Sequence, residues 1–113
     1  MVSKNKELLL EIDYFGQTGY HWAAKRGYLP ILYFLITSGR HINLSDKKRR
    51  TPLFLAAKGN CLEACEMLIN SGANPYLQDI NDKRPIDMTD NVLIKRLLFE
   101  KMDVYYIYIV VIS

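Results

Sequence analysis

The chain has 113 residues, half of them apolar and 24% charged, and its formal net charge at pH 7 is +3. This length fits a single domain, and the composition is that of a globular protein, with a charge too mild to indicate nucleic-acid binding by itself. No apolar run reaches the ~20 residues of a membrane-spanning helix, and the apolar run near the N-terminus is too short, and too broken by charge, for a signal peptide.

Short and long helical patterns alternate along the first two thirds of the chain. The short ones cover residues 19–26 and 52–59, each with an alanine pair, and Pro52 suits a first helical position while Gly59 and Asn60 suit a helix end. Longer patterns with apolar residues at helical spacing follow: Leu29, Ile31, Leu32, Leu35 and Ile36, and then Leu62, Cys65, Leu68 and Ile69. Since two turns of helix are not stable alone in water, the short helices must pack against neighbours.

The same residues recur at an offset of 33 positions. This offset superimposes Asp13, Asp46 and Asp79, Thr18 and Thr51, Ala23-Ala24 and Ala56-Ala57, Leu35-Ile36 and Leu68-Ile69, and Ser38-Gly39 and Ser71-Gly72. This period, with a Thr-Pro-Leu start before an alanine pair, resembles the ankyrin repeat, whose pattern is D-x-x-G-x-T-P-L-H-x-A-A-x-x-G followed by an outer helix. The resemblance covers about nine-tenths of the chain, and residues 46–75 are its best copy.

The resemblance implies an all-α fold, an ankyrin-repeat solenoid of stacked antiparallel helix pairs with short β-turn fingers. Residues 1–103 would form one domain, made of a partial N-terminal helix in 1–12, repeats at 13–45 and 46–78, and an abbreviated capping repeat at 79–103. In the capping repeat Thr89 and Asp90 replace the alanine pair, and its ending resembles that of small stand-alone ankyrin proteins. Two full repeats with two partial caps predict marginal stability, or a piece of a longer array.

Several positions depart from the family pattern. Arg49 and Asp82 stand at the finger glycine, and Asn60 stands at the glycine between the two helices of its repeat. We expect a left-handed backbone at these positions, which is unfavourable for arginine. Phe54 replaces the motif histidine that His21 preserves, and the resemblance implies that this histidine forms hydrogen bonds within and between repeats.

The sequence contains no pattern of a catalytic or cofactor-binding site. It has no glycine-rich phosphate loop, no H-E-x-x-H motif and no nucleophile beside a plausible base. Cys61 and Cys65 lack the second ligand pair of a zinc site, so we expect buried thiols, with redox sensing and metal binding as alternatives. We therefore expect no enzyme, no cofactor and no metal, in a reducing, cytoplasmic setting.

The resemblance implies partner binding at the finger tips and the concave edge of the inner helices. Seven of the twelve matching residues are basic and none is acidic: Tyr14, Phe15, Gln17, Lys25, Arg26, Lys47, Lys48, Arg50, Lys58, Ile80, Asn81 and Lys83. Such a face attracts acidic partners and speeds their association at low salt. We therefore expect a non-enzymatic protein–protein interaction module that binds an acidic protein surface, with Tyr14 and Phe15 as aromatic anchors.

Other interpretations of the basic residues stay open. They could simply keep the surface soluble, or the chain could be a regulatory ankyrin segment of a larger multidomain protein. The basic face could also bind nucleic acid or an anionic membrane, although only Tyr14 and Phe15 are placed to stack on bases. Residues 47–50, KKRR, resemble a nuclear-localisation run, which makes the nucleus an alternative location.

The last residues do not follow the repeat. Residues 104–112, VYYIYIVVI, form a hydrophobic tail with the composition of an aggregation-prone strand, too short to span a bilayer. We expect this tail to pack back over the last repeat. Docking to a partner, mobility, contact with a membrane surface, self-association and read-through of AT-rich non-coding sequence are the alternatives.

Overall fold

The computed structural model describes residues 16–39 and 41–112, and of residues 103–112 it describes the backbone alone. The described elements are α1 (Gly19–Arg26), α2 (Leu29–Thr37), α3 (Pro52–Lys58), α4 (Leu62–Asn70), a 3₁₀ helix (Pro85–Met88) and α5 (Val92–Ile112). α1 packs with α2 and α3 packs with α4, and the two pairs stack α1 on α3 and α2 on α4. The predicted all-α solenoid of stacked helix pairs is confirmed, while the helix predicted within residues 1–12 lies outside the described residues.

Each inner helix begins at a threonine of the repeated motif. The Thr18 hydroxyl accepts a hydrogen bond from the Tyr20 N–H at 3.1 Å, and the Thr51 hydroxyl accepts one from the Phe54 N–H at 3.2 Å. These bonds satisfy N–H groups that the first turn of a helix leaves without a partner. Gly27 ends α1 in the left-handed conformation, with φ 68°, which reverses the chain toward α2.

Small side chains allow the inner helices to approach closely. The four alanines of the repeated pairs are at most 1% exposed and belong to one core cluster: Ala23, Ala24, Ala56 and Ala57. A Cβ atom at Gly59 would lie 2.2 Å from the Lys25 carbonyl oxygen, so the end of α3 lies against the backbone of α1. Any larger side chain at these positions would push the two repeats apart.

The outer helices supply the larger core side chains, with one exception to the prediction. Leu32 and Leu35 of α2 and Leu68 of α4 are buried, as their spacing predicts. Ile31 was predicted for the core and is 43% exposed, so that prediction is wrong. Its counterpart in α4 is Ala64, which is fully buried; α4 has α2 packed against it, whereas α2 is the first outer helix in the described part of the chain.

The third repeat is abbreviated at its inner helix, which is reduced to the 3₁₀ helix. Thr89, predicted to replace an alanine at a wetter end of the solenoid, is 5% exposed, and its hydroxyl donates to Asn60 Oδ1 at 2.6 Å. The side chain of Asn91 caps α5, since its Oδ1 accepts the N–H groups of Leu93 and Ile94 at 2.9 and 3.2 Å. Side-chain hydrogen bonds thus replace the alanine contacts of the full repeats.

The final helix contains the hydrophobic tail. α5 runs from Val92 to Ile112, so the expected boundary between residues 103 and 104 lies inside one helix, and residues 104–112 are helical although their composition is that of a strand. The packing of this tail over the last repeat stays a prediction. Ile94 and Leu98 of this helix pack in the core. The Tyr76 hydroxyl donates a hydrogen bond to the Met102 carbonyl. Extending a helix is much easier than starting one, so the packed turns carry the helix into residues whose composition favours a strand. No helix among the described residues has the length and apolar character needed to cross a membrane.

An aspartate organises each described finger. Asp46 Oδ1 accepts the N–H groups of Lys48 and Arg50 at 2.9 and 2.8 Å, and Asp79 makes the same pair of bonds in the next finger. The fingers are also joined to each other, because the Ile80 N–H donates to the Lys48 carbonyl at 3.0 Å. This repeated aspartate is therefore the residue that shapes the finger row.

His21 links the first inner helix to the following finger. Its Nδ1 accepts the Thr18 N–H at 3.1 Å, and its Nε2 lies 3.0 Å from the Arg50 carbonyl, to which it donates in the neutral ring. The predicted hydrogen bonds within and between repeats are confirmed. Burial lowers the pKa of His21, although the Arg50 hydrogen bond and the charge of Asp46 oppose that shift.

Replacing Arg49 by glycine should stabilise the protein. Arg49 has φ 60°, a backbone conformation that costs an L residue about 1 kcal/mol and glycine almost nothing. We expect Arg49→Gly to raise the free energy of unfolding in urea by about 0.5–1 kcal/mol. Arg49→Ala is the control, since it removes the same side chain and keeps the strain; equal stability of the two variants would contradict the prediction.

Acidification below about pH 6.5 should destabilise the fold through His21. The unfolded chain protonates this histidine at its ordinary pKa, whereas the folded state resists protonation because its pKa is lowered. The contribution of neutral His21 to the free energy of unfolding is therefore fully present above about pH 7 and is lost as the pH falls toward about 5. Urea unfolding at both pH values should show a smaller loss for His21→Gln and an unchanged loss for a variant of the exposed His41. The same pH dependence in His21→Gln would show that other groups cause it.

Candidate protein-interaction surface

Most of the predicted contact residues are exposed in the described part of the chain. Eight of the twelve lie on the surface: Lys25, Arg26, Lys47, Lys48, Lys58, Ile80, Asn81 and Lys83. Arg50 is half-buried, while Tyr14 and Phe15 lie outside the described residues. The exposed members come from the ends of α1 and α3 and from the second and third fingers, which places them along neighbouring repeats.

Gln17 does not belong to this surface. Its side chain is 4% exposed, and its Nε2 donates to Asp46 Oδ2 at 3.1 Å across the repeat boundary. The prediction that Gln17 contacts a partner is therefore corrected, because a buried amide that holds the next finger cannot reach another molecule. The position varies within the repeat pattern, and its hydrogen bond to Asp46, 29 residues further along the chain, is not visible in local sequence.

Arg50 has a structural bond in addition to its surface position. Its Nε lies 2.7 Å from Asp46 Oδ2, while the same carboxylate also receives the Gln17 amide. The pKa of Asp46 is lowered: burial opposes that shift, and the hydrogen bonds from Arg50 and Gln17 outweigh it. Substitution of Arg50 would therefore disturb the finger as well as the surface charge.

Five of the predicted residues come together around one cavity between the second and third fingers. The cavity has a volume of about 520 Å³. The predicted residues in its wall are Lys48, Arg50, Lys58, Asn81 and Lys83, and the remaining wall is formed by Phe54, Asp79, Asp87 and Met88. Fingers, inner helix and 3₁₀ helix thus converge on a concave, mostly basic site.

Trp22 is a surface feature that the sequence analysis missed. The half-buried indole lies on α1, with Lys25 Nζ 5.2 Å and the Arg26 guanidinium carbon 4.9 Å from its ring centroid. These distances are those of cation–π contacts. The signal was present in the sequence, since an aromatic residue three and four positions before two basic residues places all three on one helix face.

The described residues do not form a recognisable metal or thiol site. They contain no group of three or more histidine, cysteine or acidic side chains that could hold a metal ion. Cys65 is buried, and burial raises the pKa of its thiol to about 12, which disfavours the reactive thiolate. Cys61 is partly buried at the start of α4, and its Sγ is 3.9 Å from Glu63 Oε2.

Comparison with known proteins gives partial matches to long proteins. The chain is 27% identical to human BCL-6 corepressor-like protein 1 over 101 residues, which are 89% of the chain and 6% of that protein. It is 39% identical to mouse protein phosphatase 1 regulatory subunit 12A over 50% of the chain and 5% of the relative. It is 41% identical to human ankyrin repeat and SAM domain-containing protein 4B over 56% of the chain and 15% of the relative.

The family comparison agrees with the packing of the repeats. A model of three ankyrin repeats matches residues 2–79, which include both full repeats and part of the segment before them. The stacked helix pairs, the buried alanine pairs and the finger centred on Asp46 occur within this range. The chain belongs to the ankyrin-repeat family.

Proposed function

We propose that this chain is a non-enzymatic protein-recognition module that binds an acidic protein surface through its fingers and the concave face of its inner helices. The observation that carries the proposal is the convergence of Lys48, Lys58 and Lys83 on one cavity from three different elements. Ankyrin repeats indicate protein–protein interaction, and the exposed side chains determine which partner a given stack binds.

The charge and chemistry of this face support an acidic partner. Lysine side chains at the rim raise the local concentration of anionic surfaces and speed association, an effect that salt weakens. Trp22 offers an aromatic contact beside Lys25 and Arg26, and aromatic and arginine residues dominate binding energy in protein interfaces. These groups bind and orient a partner, and none of them forms a nucleophile–base arrangement.

A regulatory role within a larger protein is the second candidate. The matched stretches make up between 5% and 15% of the three relatives described above, one of which is a phosphatase regulatory subunit by name. In such an arrangement the same concave face would hold the regulated partner. Nucleic acid is the competing ligand for a basic face. Its binding is distinguished by a steep loss of affinity as the salt concentration rises.

Site-specific photocrosslinking tests which face meets the partner. A benzoylphenylalanine placed at Lys25, near the end of α1, or at Asn81, in the third finger, should give discrete protein adducts in an extract of the native cell. The same probe at Glu63 or Glu66, both exposed on outer helix α4, serves as the matched control and should give none. The concave-face adducts should weaken in high salt, because screening acts on exposed charges.

Two results would contradict the proposal. Adducts that form equally from the outer helix would place recognition elsewhere on the fold. Adducts with nucleic acid in place of protein, removed by nuclease treatment, would assign the basic face to the competing ligand.

A further inference from the structure

The two described boundaries between neighbouring repeats are built from different residues at equivalent positions. Between the first and second repeats, Gln17 and His21 bridge to the next finger, at 3.1 Å to Asp46 Oδ2 and 3.0 Å to the Arg50 carbonyl. One period later the same positions are Arg50 and Phe54. The second boundary therefore has a different hydrogen-bonding capacity from the first.

Neither replacement reproduces the bridge to the third finger. Arg50 bonds within its own finger, where its Nε donates a hydrogen bond to Asp46 Oδ2 at 2.7 Å. Phe54 has no hydrogen-bonding group on its ring, which is 1% exposed. The second and third fingers are joined by the backbone bond from the Ile80 N–H to the Lys48 carbonyl. The cavity of about 520 Å³ lies at this second boundary.

The cavity wall includes both apolar and basic residues. Phe54 and Met88 lie in it together with Lys48, Lys58 and Lys83. Lys58 and Lys83 form no ion pair with any described residue, so their charges are available to a ligand. The fourth cation in the wall, Arg50, is matched by Asp46, as described above.

Two carboxylates in the wall limit how much negative charge the cavity accepts. Asp79 Oδ1 binds two N–H groups of its own finger at 2.9 Å, and Asp87 Oδ2 accepts the Arg84 N–H at 2.9 Å. Lys58 and Lys83 therefore stand against two aspartates whose oxygens are partly engaged. Such a site accepts one anionic group more readily than a polyanion, whose further charges would meet Asp79 and Asp87.

We propose that this cavity is the anchoring site for a single acidic side chain, carboxylate or phosphate, in an extended segment of the partner protein. The acidic group binds at Lys58 and Lys83, and the aliphatic part of its side chain packs toward Met88. This assignment rests on the proposed recognition function and names the chemistry by which the concave face selects its partner.

The test is a nuclear magnetic resonance titration of the ¹⁵N-labelled full chain with short blocked peptides. Three peptides of the same length carry a central glutamate, phosphoserine or glutamine. The two acidic peptides should shift the amide signals of Lys58, Asn81 and Lys83 in a saturable way, and the glutamine peptide should not. The acidic peptide that binds with the higher affinity identifies carboxylate or phosphate as the anionic group that the cavity prefers.

Charge variants test the assignment of the rim. Lys58→Glu and Lys83→Glu should each weaken binding of the acidic peptides by about fivefold, the effect of one exposed ion pair. Lys101→Glu makes the same charge change on the exposed surface of α5 and should leave binding unchanged. Equal weakening by all three variants would show that net charge alone determines binding, and it would overturn the proposal.

A variant that keeps every charge tests the cavity itself. Phe54→His restores the group that in the first repeat binds the next finger, so it should draw the third finger inward and weaken peptide binding by about fivefold. Phe54→Leu cannot form this bond and is the control for altered packing. Unchanged binding in Phe54→His, or equal loss in both variants, would show that the second boundary is not the site.

The outcomes separate this inference from the proposed function. Concave-face photocrosslinks that persist in Lys58→Glu and Lys83→Glu would retain the recognition function and overturn the cavity assignment. A single-stranded oligonucleotide that shifts the same amides at lower concentration than either acidic peptide would overturn both.

Discussion

The close contact between consecutive inner helices is the constraint on which the remaining structure depends. Alanine pairs and Gly59 bring α1 and α3 together until a glycine Cα of one lies near a carbonyl oxygen of the other. This short spacing brings α1 within hydrogen-bonding distance of the following finger, as the bonds from Gln17 to Asp46 and from His21 to the Arg50 carbonyl show. Bulkier inner helices would separate the fingers, and the concave face would lose its continuity.

The finger row shows how one repeated device yields two different surfaces. Asp46 and Asp79 fix their fingers by the same backbone bonds, so the scaffold is equivalent in both repeats. The difference lies in the side chains that reach across the boundary. Gln17 crosses the first boundary by binding Asp46, whereas Arg50, at the same repeat position, binds within its own finger. A small change in side-chain pairing thus gives the two boundaries different hydrogen bonds.

Local patterns in the sequence predicted the fold well, because each repeat is defined by neighbouring residues and by a constant period. The left-handed backbone at Arg49 and Asn60 also followed from sequence, since family glycine positions specify φ whatever residue occupies them. Contacts across repeats were not predictable in the same way. Gln17 is polar and variable in the pattern, and its burial depends on a carboxylate 29 residues away. The helical state of residues 104–112 depends on the packed turns of α5, which composition alone does not reveal.

In this architecture, the residues that stabilise the fold are different from the residues that form the proposed binding surface. The alanine and leucine contacts that hold the repeats together are buried between helices, so the charged residues of the concave face contribute little to the core. Lys58 illustrates the division, since it follows directly after the fully buried Ala57 and is itself exposed. Surface charges of this kind can change without loss of the fold, as exposed ion pairs are worth about 0–1 kcal/mol. Arg50 is the exception, because its bond to Asp46 makes it part of the finger. Substitutions that change binding specificity are therefore tolerated most easily at the lysines and least easily at Arg50.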